Sequence, residues 1–493
     1  MAPAIPPLKD PSLLIDRAFV NGQWVASGSG KTFEVTDPST GALVGTCPEC
    51  GVSDTEAAID AAAVAFKAFR ATTARQRSDL LRKWHQLMLD NAEDLAILIT
   101  MENGKPLADA RGEVKYASDF LLWFAEEAPR INGSTIPASV GGKRILTVKE
   151  PIGVCGLITP WNFPAAMVTR KAAPAIAAGC TVVVKAPGET PLTSLALAEL
   201  SKRAGFPAGV FNIITTLENT PAVGNALCTH PKVKKVSFTG STAVGKLLMK
   251  QSSDTLKKLS MELGGNSPFI VFNDANLDAA VDGALTSKFR SSGQTCVCAN
   301  RIYVQKGILP AFSEKFVERV KQYKLGAGFD PSVTHGPLIH ARAVDKVDSH
   351  VRDAEAKGAQ IALGGQRIPG LEERGHFYPL TVLLNATPEM RIAREETFGP
   401  VAALFPFETE EEVLAMANAS DVGLAGYFFS QDVQRCWRVA EALEVGMVGI
   451  NTGIISDPAS PFGGVKQSGF GREGSALGIE EYLTVKSMTF GGI

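Results

Sequence analysis

The chain is expected to fold as an α/β protein on a doubly wound parallel sheet, and three observations carry that expectation. Short β-branched runs alternate with helical stretches instead of grouping apart from them. The run TVVVK, residues 181–185, is apolar without alternation, as a strand covered on both faces must be. The turn FTGSTAVG, residues 238–245, follows a strand and opens a helix, where unpaired N–H groups and the helix dipole favour a phosphate. Its Gly240 and Gly245 do not fit the G-x-G-x-x-G spacing, so the usual dinucleotide fingerprint is absent.

Taken in order, CPEC at 47–50 reads as a surface turn holding two thiols, since no second Cys or His pair follows at zinc-finger spacing. Residues 130–150 combine turn residues with a half-polar strand, which is hairpin or edge material. Residues 151–169 carry no charge, but Pro151, Pro160 and Pro164 interrupt them, so they read as buried interior and not as a membrane span. KAAPAIAAGC is a helix closed by Gly179, TVVVK a strand, and LTSLALAELSKRAG a helix closed by Gly205. GVFNIIT and KKVSFTG are further strands, the second running into the helix STAVGKLLMKQ. A second βα-rich region starts near Pro268 and passes Phe405, and EYLTVKSMTF near the end is again edge material.

Composition narrows the function. At 493 residues, 45% hydrophobic and 20% charged, the chain has material for two or three packed domains. A formal charge of −2 without a Lys/Arg block excludes a nucleic-acid or membrane-surface footprint, so a small-molecule partner is expected. The N-terminus has neither a signal nor a transit pattern, and a cytoplasmic chain with its eight cysteines reduced is expected.

The chemistry concentrates in five stretches. TPWNFP (159–164) sets the amide of Asn162 in a rigid Trp/Pro frame. MELGGNSP (261–268) places a lone carboxylate, Glu262, in an apolar run, where desolvation raises its pKa toward that of a general base. GQTCVCANR (293–301) carries two thiols, EETFGP (395–400) a carboxylate and an aromatic, and PFGGVKQSG (461–469) a Gly-rich loop with Phe462. Cysteine is the side chain whose anion is a strong nucleophile near neutral pH.

Together these stretches resemble the aldehyde dehydrogenase superfamily, in the family's order and over essentially the whole chain. The strings PWNFPAAMVTRKA, SKFRSSGQTCVCANR, GINTGIIS and PFGGVKQSGFGREGS look like its succinate-semialdehyde branch, which oxidises the four-carbon semialdehyde of γ-aminobutyrate breakdown to succinate. The resemblance implies a Rossmann-type cofactor domain at 1–130 and 151–267, a catalytic domain at 268–465, and a β oligomerisation arm at 131–150 and 466–493, in a homo-oligomer that is a dimer or a tetramer. It implies Cys296 as nucleophile, Asn162 with the Cys296 N–H as oxyanion donors, and Glu262 as the base that hydrolyses the thioester. For the cofactor it implies contacts from Thr159, Pro160, Trp161, Gly240, Ser241, Gly245 and Leu263, ribose contacts from Lys185 and Glu396, and Phe398 on the nicotinamide. Where strongly NAD-preferring relatives carry a glutamate three residues after the lysine, this chain has Gly188 with Glu189 displaced by one. NADP is therefore expected to be preferred, with NAD possible if Glu189 swings in, and no metal is required. Arg170 and Arg290, with Ser456, are expected to hold the substrate carboxylate between walls from Phe163 and Phe462. Another carboxylate-bearing aldehyde such as glutarate semialdehyde, and a catalytically retired binding homologue, stay open as alternatives.

If residues 296–298 are extended, Cys296 and Cys298 lie about 6.6 Å apart at Cα, near the limit for a disulfide. That makes Cys298 a candidate for a strained, reversible mask on the nucleophile, against the simpler reading of a small buried side chain.

Overall fold

The computed structural model describes residues 4–370 and 375–493. Its first sheet has eight strands, in the spatial order Gln23–Val25, Ala18–Val20, Phe211–Ile214, Thr181–Lys185, Val154–Ile158, Val233–Thr239, Lys258–Glu262 and Gly469–Phe470. The five central strands are parallel, and the outer ones pair antiparallel on either side. The strand order reverses between Val154–Ile158 and Val233–Thr239, and a ligand crevice opens outside the carboxyl ends of such a pair.

TVVVK shows why its composition demands the centre of this sheet. Val182 and Val184 pack into one apolar cluster with Trp84 and Phe211, while Val183 packs into another with Val236 and Ile214 on the opposite face. Each valine so buried contributes about 1.5–3 kcal/mol before the entropy of ordering is set against it. The helix Ala166–Ala178 is buried along its whole length, Arg170 and Lys171 included.

The second sheet has seven strands, ordered Gln360–Leu363, Thr381–Leu384, Val401–Phe407, Ala299–Gln305, Ser267–Val271, Ala425–Phe429 and Met447–Ile450, parallel except at the first edge. Its strands split in the same way, with Phe269 and Val271 in one cluster and Ile270 in the other. Strand Lys258–Glu262 of the first sheet passes through residues 263–266 straight into Ser267–Val271 of the second, so the two sheets meet at this link.

Leu483–Gly491, Lys143–Pro151 and Thr135–Ile136 form a separate three-stranded antiparallel sheet, in the segments where an arm was expected. It is narrower than residues 466–493: Gly469–Phe470 extends the first sheet and the helix Ser475–Glu480 packs on Ala166–Ala178. The CPEC expectation also needs correction. Cys47 lies within the strand Leu43–Pro48, one residue before its end, and Cys47 and Cys50 are both buried. Among the described residues no helix is long and apolar enough to cross a membrane, and no cluster of three His, Cys, Asp or Glu side chains could hold a metal ion.

Candidate active site

Three loops meet where the sheets face each other. The Trp161–Asn162–Phe163 loop leaves the end of Val154–Ile158, Glu262 ends Lys258–Glu262, and Cys296 lies on a turn entering Ala299–Gln305. That turn is preceded by Ser291 and Ser292, both at left-handed φ, a costly conformation that surrounding structure must impose. The Ser292 hydroxyl donates to the Gly336 carbonyl at 2.8 Å, and Gln294 ties the turn to Pro337 and Ile339. Gly265 passes beneath: a Cβ there would come within 2.5 Å of the Cys296 carbonyl oxygen.

Cys296 borders two spaces, a narrow pocket and a large crevice. The pocket is walled by Tyr116, Phe163, Met167, Arg170, Arg290, Ser456 and Phe462, so all five expected substrate residues come together there. Asn162 is 4% exposed, its Nδ2 donates to the Gln294 carbonyl at 3.0 Å, and its Oδ1 makes no hydrogen bond. The Cys296 backbone N–H makes none either among the described residues. Burial pushes the Cys296 thiol up to about 12, with Arg170 opposing, although the residue keeps an opening to solvent. Burial, reinforced by the charge of Glu473, holds the Glu262 carboxyl well above the usual carboxylate range, and its Oε2 has no partner.

The two arginines differ. Arg170 is ion-paired with Glu473, which also pairs with Lys171, and its guanidinium stacks 4.4 Å over Phe462. Its Nε and Nη2 make no hydrogen bond among the described residues, although Nε lies against the Glu473 carboxylate. Arg290 stands 5.2 Å from the Phe163 ring and makes no ion pair among the described residues. A cation in a pocket without an anion is the stronger sign of an anionic ligand. Glu473, Lys171 and Tyr116 escaped sequence reasoning, since nothing in the spacing of GFGREGS places Glu473 beside a helix three hundred residues earlier.

The extended geometry expected for the thiol pair is not found. Residues 295–298 form a turn closed by the Cys298 N–H to the Thr295 carbonyl at 2.9 Å. Cys298 lines a second small cavity with Thr286, Tyr427 and Ile455, and both cysteines are free thiols. Arg290, Thr295, Val297 and Ser456 border both this cavity and the pocket.

The crevice, about 760 Å³, opens at the strand-order reversal. Pro160, Trp161, Glu189, Gly240, Ser241, Leu263, Glu396 and Phe398 line it, while Thr159, Lys185, Gly188 and Gly245 are buried and do not line it. Ser241 caps the helix Thr242–Ser252, its Oγ accepting from the Val244 N–H at 3.4 Å. Thr239 Oγ1 is buried at the crevice without a partner. Among the described residues Lys185 Nζ makes no hydrogen bond or salt bridge, and burial lowers it to about 8 against the charges of Glu189 and Glu49. Phe398, at left-handed φ, meets Trp161 edge-on at 5.7 Å between ring centroids, and burial lifts Glu396 to about 7. A helix N-terminus, a buried hydroxyl and a lysine without a partner fit a dinucleotide with a phosphate-bearing ribose. Arg342 and Lys346, on the opposite wall, were not expected from the sequence.

Residues 24–488 match the aldehyde dehydrogenase family. The chain belongs to that family. It is 54% identical over 486 residues to the 3-sulfolactaldehyde dehydrogenase of Pseudomonas putida, covering 99% of each chain. It is 53% identical over 484 residues to the NADP-dependent succinate-semialdehyde dehydrogenase of Escherichia coli, covering 98% of this chain and 99% of that one. The crystal structure of an E. coli NADP-dependent enzyme superposes with a TM-score of 0.97 at 52% identity, over 98% of this chain and all of that one. As an aldehyde dehydrogenase, the chain has the α/β architecture of these relatives, and the meeting of a half-open thiol, a buried carboxylate and a dinucleotide-sized crevice is suited to aldehyde oxidation.

Proposed function

We propose that this aldehyde dehydrogenase oxidises succinate semialdehyde to succinate with NADP as its preferred cofactor. The observation that carries the reading is Arg290, a guanidinium in the pocket that Cys296 opens into, which makes no ion pair among the described residues. The aldehydes in the relatives' names, succinate semialdehyde, glutarate semialdehyde and 3-sulfolactaldehyde, each carry an anion away from the reacting carbon. A bidentate guanidinium suits that end. Lys185, with Gly188 after it, supports NADP, because no carboxylate at 188 repels a 2′-phosphate.

Cys296 passes its proton to Glu262, whose raised pKa makes it a competent acceptor, and the thiolate attacks the aldehyde carbon. Asn162 and the free Cys296 N–H receive the oxyanion; one such donor is worth about 3 kcal/mol. NADP, held by Ser241, Lys185, Glu396 and Phe398 when bound, supplies the hydride acceptor. Cys296 then carries the acyl group as a thioester. Once Glu262 has released the Cys296 proton to solvent, it takes a proton from water, the hydroxide attacks the thioester, and Cys296 departs as a thiolate as the carboxylic acid forms. The same reading makes the chain a homo-oligomer joined through its three-stranded arm.

A second reading, glutarate semialdehyde, is supported by the glutarate-semialdehyde dehydrogenase of Pseudomonas putida, to which the chain is 53% identical over 479 residues. An extra methylene changes a pocket's preference by only about 1–3 kcal/mol. Steady-state NADPH formation with both semialdehydes and with 3-sulfolactaldehyde decides: the four-carbon substrate is expected to have the highest kcat/KM. Arg290→Leu is expected to raise KM for every anionic aldehyde about 100-fold while sparing an uncharged aldehyde such as butanal. Equal losses on butanal would remove Arg290 from the anion site.

A further inference from the structure

Beneath the oxyanion donor lies an ion pair for which the reaction above has no use. Lys105 and Glu113 are 3% and 1% exposed, and Lys105 Nζ donates to Glu113 Oε2 at 2.6 Å. The same ammonium donates to the main-chain carbonyl of Asn162 at 2.7 Å and lies 4.2 Å from the Phe163 ring centroid. The other carboxylate oxygen, Glu113 Oε1, accepts from the Ala165 N–H at 2.9 Å and from that of Ala166 at 3.5 Å. One ion pair therefore clamps both ends of the loop from Asn162 to Ala165. Its neighbour Asn103 holds the preceding carbonyl, that of Trp161, at 3.0 Å.

Burying two charges is costly, and a well-packed apolar pair of similar volume is often no less stable. A cation kept at this place calls for a reason in geometry. Asn162 has one side-chain contact, to the Gln294 carbonyl two residues before Cys296, so the loop's main chain sets where the remaining amide hydrogen points. We propose that the Lys105–Glu113 pair is a positioning device that fixes Asn162 against Cys296 in the geometry the oxyanion requires; this rests on Asn162 being the oxyanion donor. Neither residue lines the pocket or the crevice. A displacement near 1 Å at such a donor costs about 100-fold in rate.

The test is a double-mutant cycle between Lys105→Met and Asn162→Ala, with Glu113→Gln as the milder probe should Lys105→Met fold poorly. The readouts are kcat, NADP affinity by nucleotide fluorescence, iodoacetamide alkylation at Cys296 by mass spectrometry, and melting temperature. Lys105→Met is expected to lower kcat about 10- to 100-fold. NADP affinity and the alkylation rate should stay within about twofold of wild type, and there should be no further loss in the Asn162→Ala background. Glu113→Gln should lower kcat in the same direction, and Lys105→Arg should restore part of it. Equal losses with and without Asn162, or losses that track melting temperature or NADP affinity, would overturn the positioning role alone. Normal turnover in Asn162→Ala itself would instead bring down the oxyanion assignment on which it rests.

Discussion

Glu262 shows what burial does to a single residue here. A carboxyl with no partner on Oε2, enclosed in protein and facing the charge of Glu473, favours its proton. As the base for thioester hydrolysis it works only once deprotonated, so kcat should climb with pH well past the ordinary carboxylate range, about tenfold per unit below the folded pKa. Stability runs the other way. Because the folded pKa is raised, the contribution of Glu262 is fully present below its ordinary value of 4.5 and is lost as pH rises through the folded value. Glu262→Gln should therefore be inactive in hydrolysis, yet gain stability over wild type progressively from about pH 5 upward. A pH series of kcat and of melting temperature checks both signs, and a flat stability difference would mean that Glu262 is ionised and solvated in the folded chain.

At the scale of elements, the proposed choice of NADP rests on Gly188 and on a loop distant in sequence that covers it. Glu49 accepts from the Thr216 hydroxyl at 2.7 Å and from the N–H groups of Leu217 and Asn219 at 2.9 and 2.8 Å. The loop so held covers Gly188: a Cβ there would come 2.6 Å from Leu217 Cδ1 and 3.0 Å from the Thr216 carbonyl oxygen. A glutamate at 188 is therefore more than an added charge, since the loop must move to admit it. Gly188→Glu is expected to weaken NADP binding at least about tenfold and NAD binding less, by Coulomb repulsion of the 2′-phosphate. Leu217→Ala in that background should recover NAD affinity but not NADP affinity. Nucleotide-fluorescence titrations measure both, and an unchanged NADP:NAD ratio would take Gly188 out of the choice. The same elements show what the sequence carried and what it withheld. TVVVK, KKVSFTG and the helices ended by Gly179 and Gly205 were legible because periodicity and caps are local. Cys296, Glu262 and Asn162 were legible as motifs. Glu49, Lys105, Glu113 and Glu473 were not, because a lone charge is by default a surface residue and only contacts across long sequence separations make these four interior. The two-residue strand Gly469–Phe470 is too short for an alternation signal, and the turn at 295–298 depends on Ser291 and Ser292 adopting a backbone that their residue type disfavours.

At the scale of the molecule, two sheets hold opposite halves of the candidate site, with the proposed base Glu262 and oxyanion donor Asn162 from the first and the proposed nucleophile Cys296 from the second. The three-stranded arm belongs to neither. Leu483–Gly491 pairs with Lys143–Pro151 along its full length, yet Val485, Phe490 and Ile493 are 65, 50 and 66% exposed. Three strands without a covered face make a marginal sheet, and its open edge invites another strand. The second sheet ends in a strand, Met447–Ile450, that has a partner on one side only and leaves Ile450 exposed. An arm with unburied apolar side chains and a sheet with an open edge in the same chain are complementary when copies associate by a closed symmetry. Val485→Lys with Phe490→Lys should therefore lower the mass measured by light scattering after size exclusion. Leu483 and Tyr482 stay in the core, so the separated subunits should keep NADP affinity. An unchanged mass would show that the arm is not the joint. A lower mass with NADP affinity lost as well would mean that assembly also shapes the crevice, through the strand Val154–Ile158 that continues directly from Lys143–Pro151.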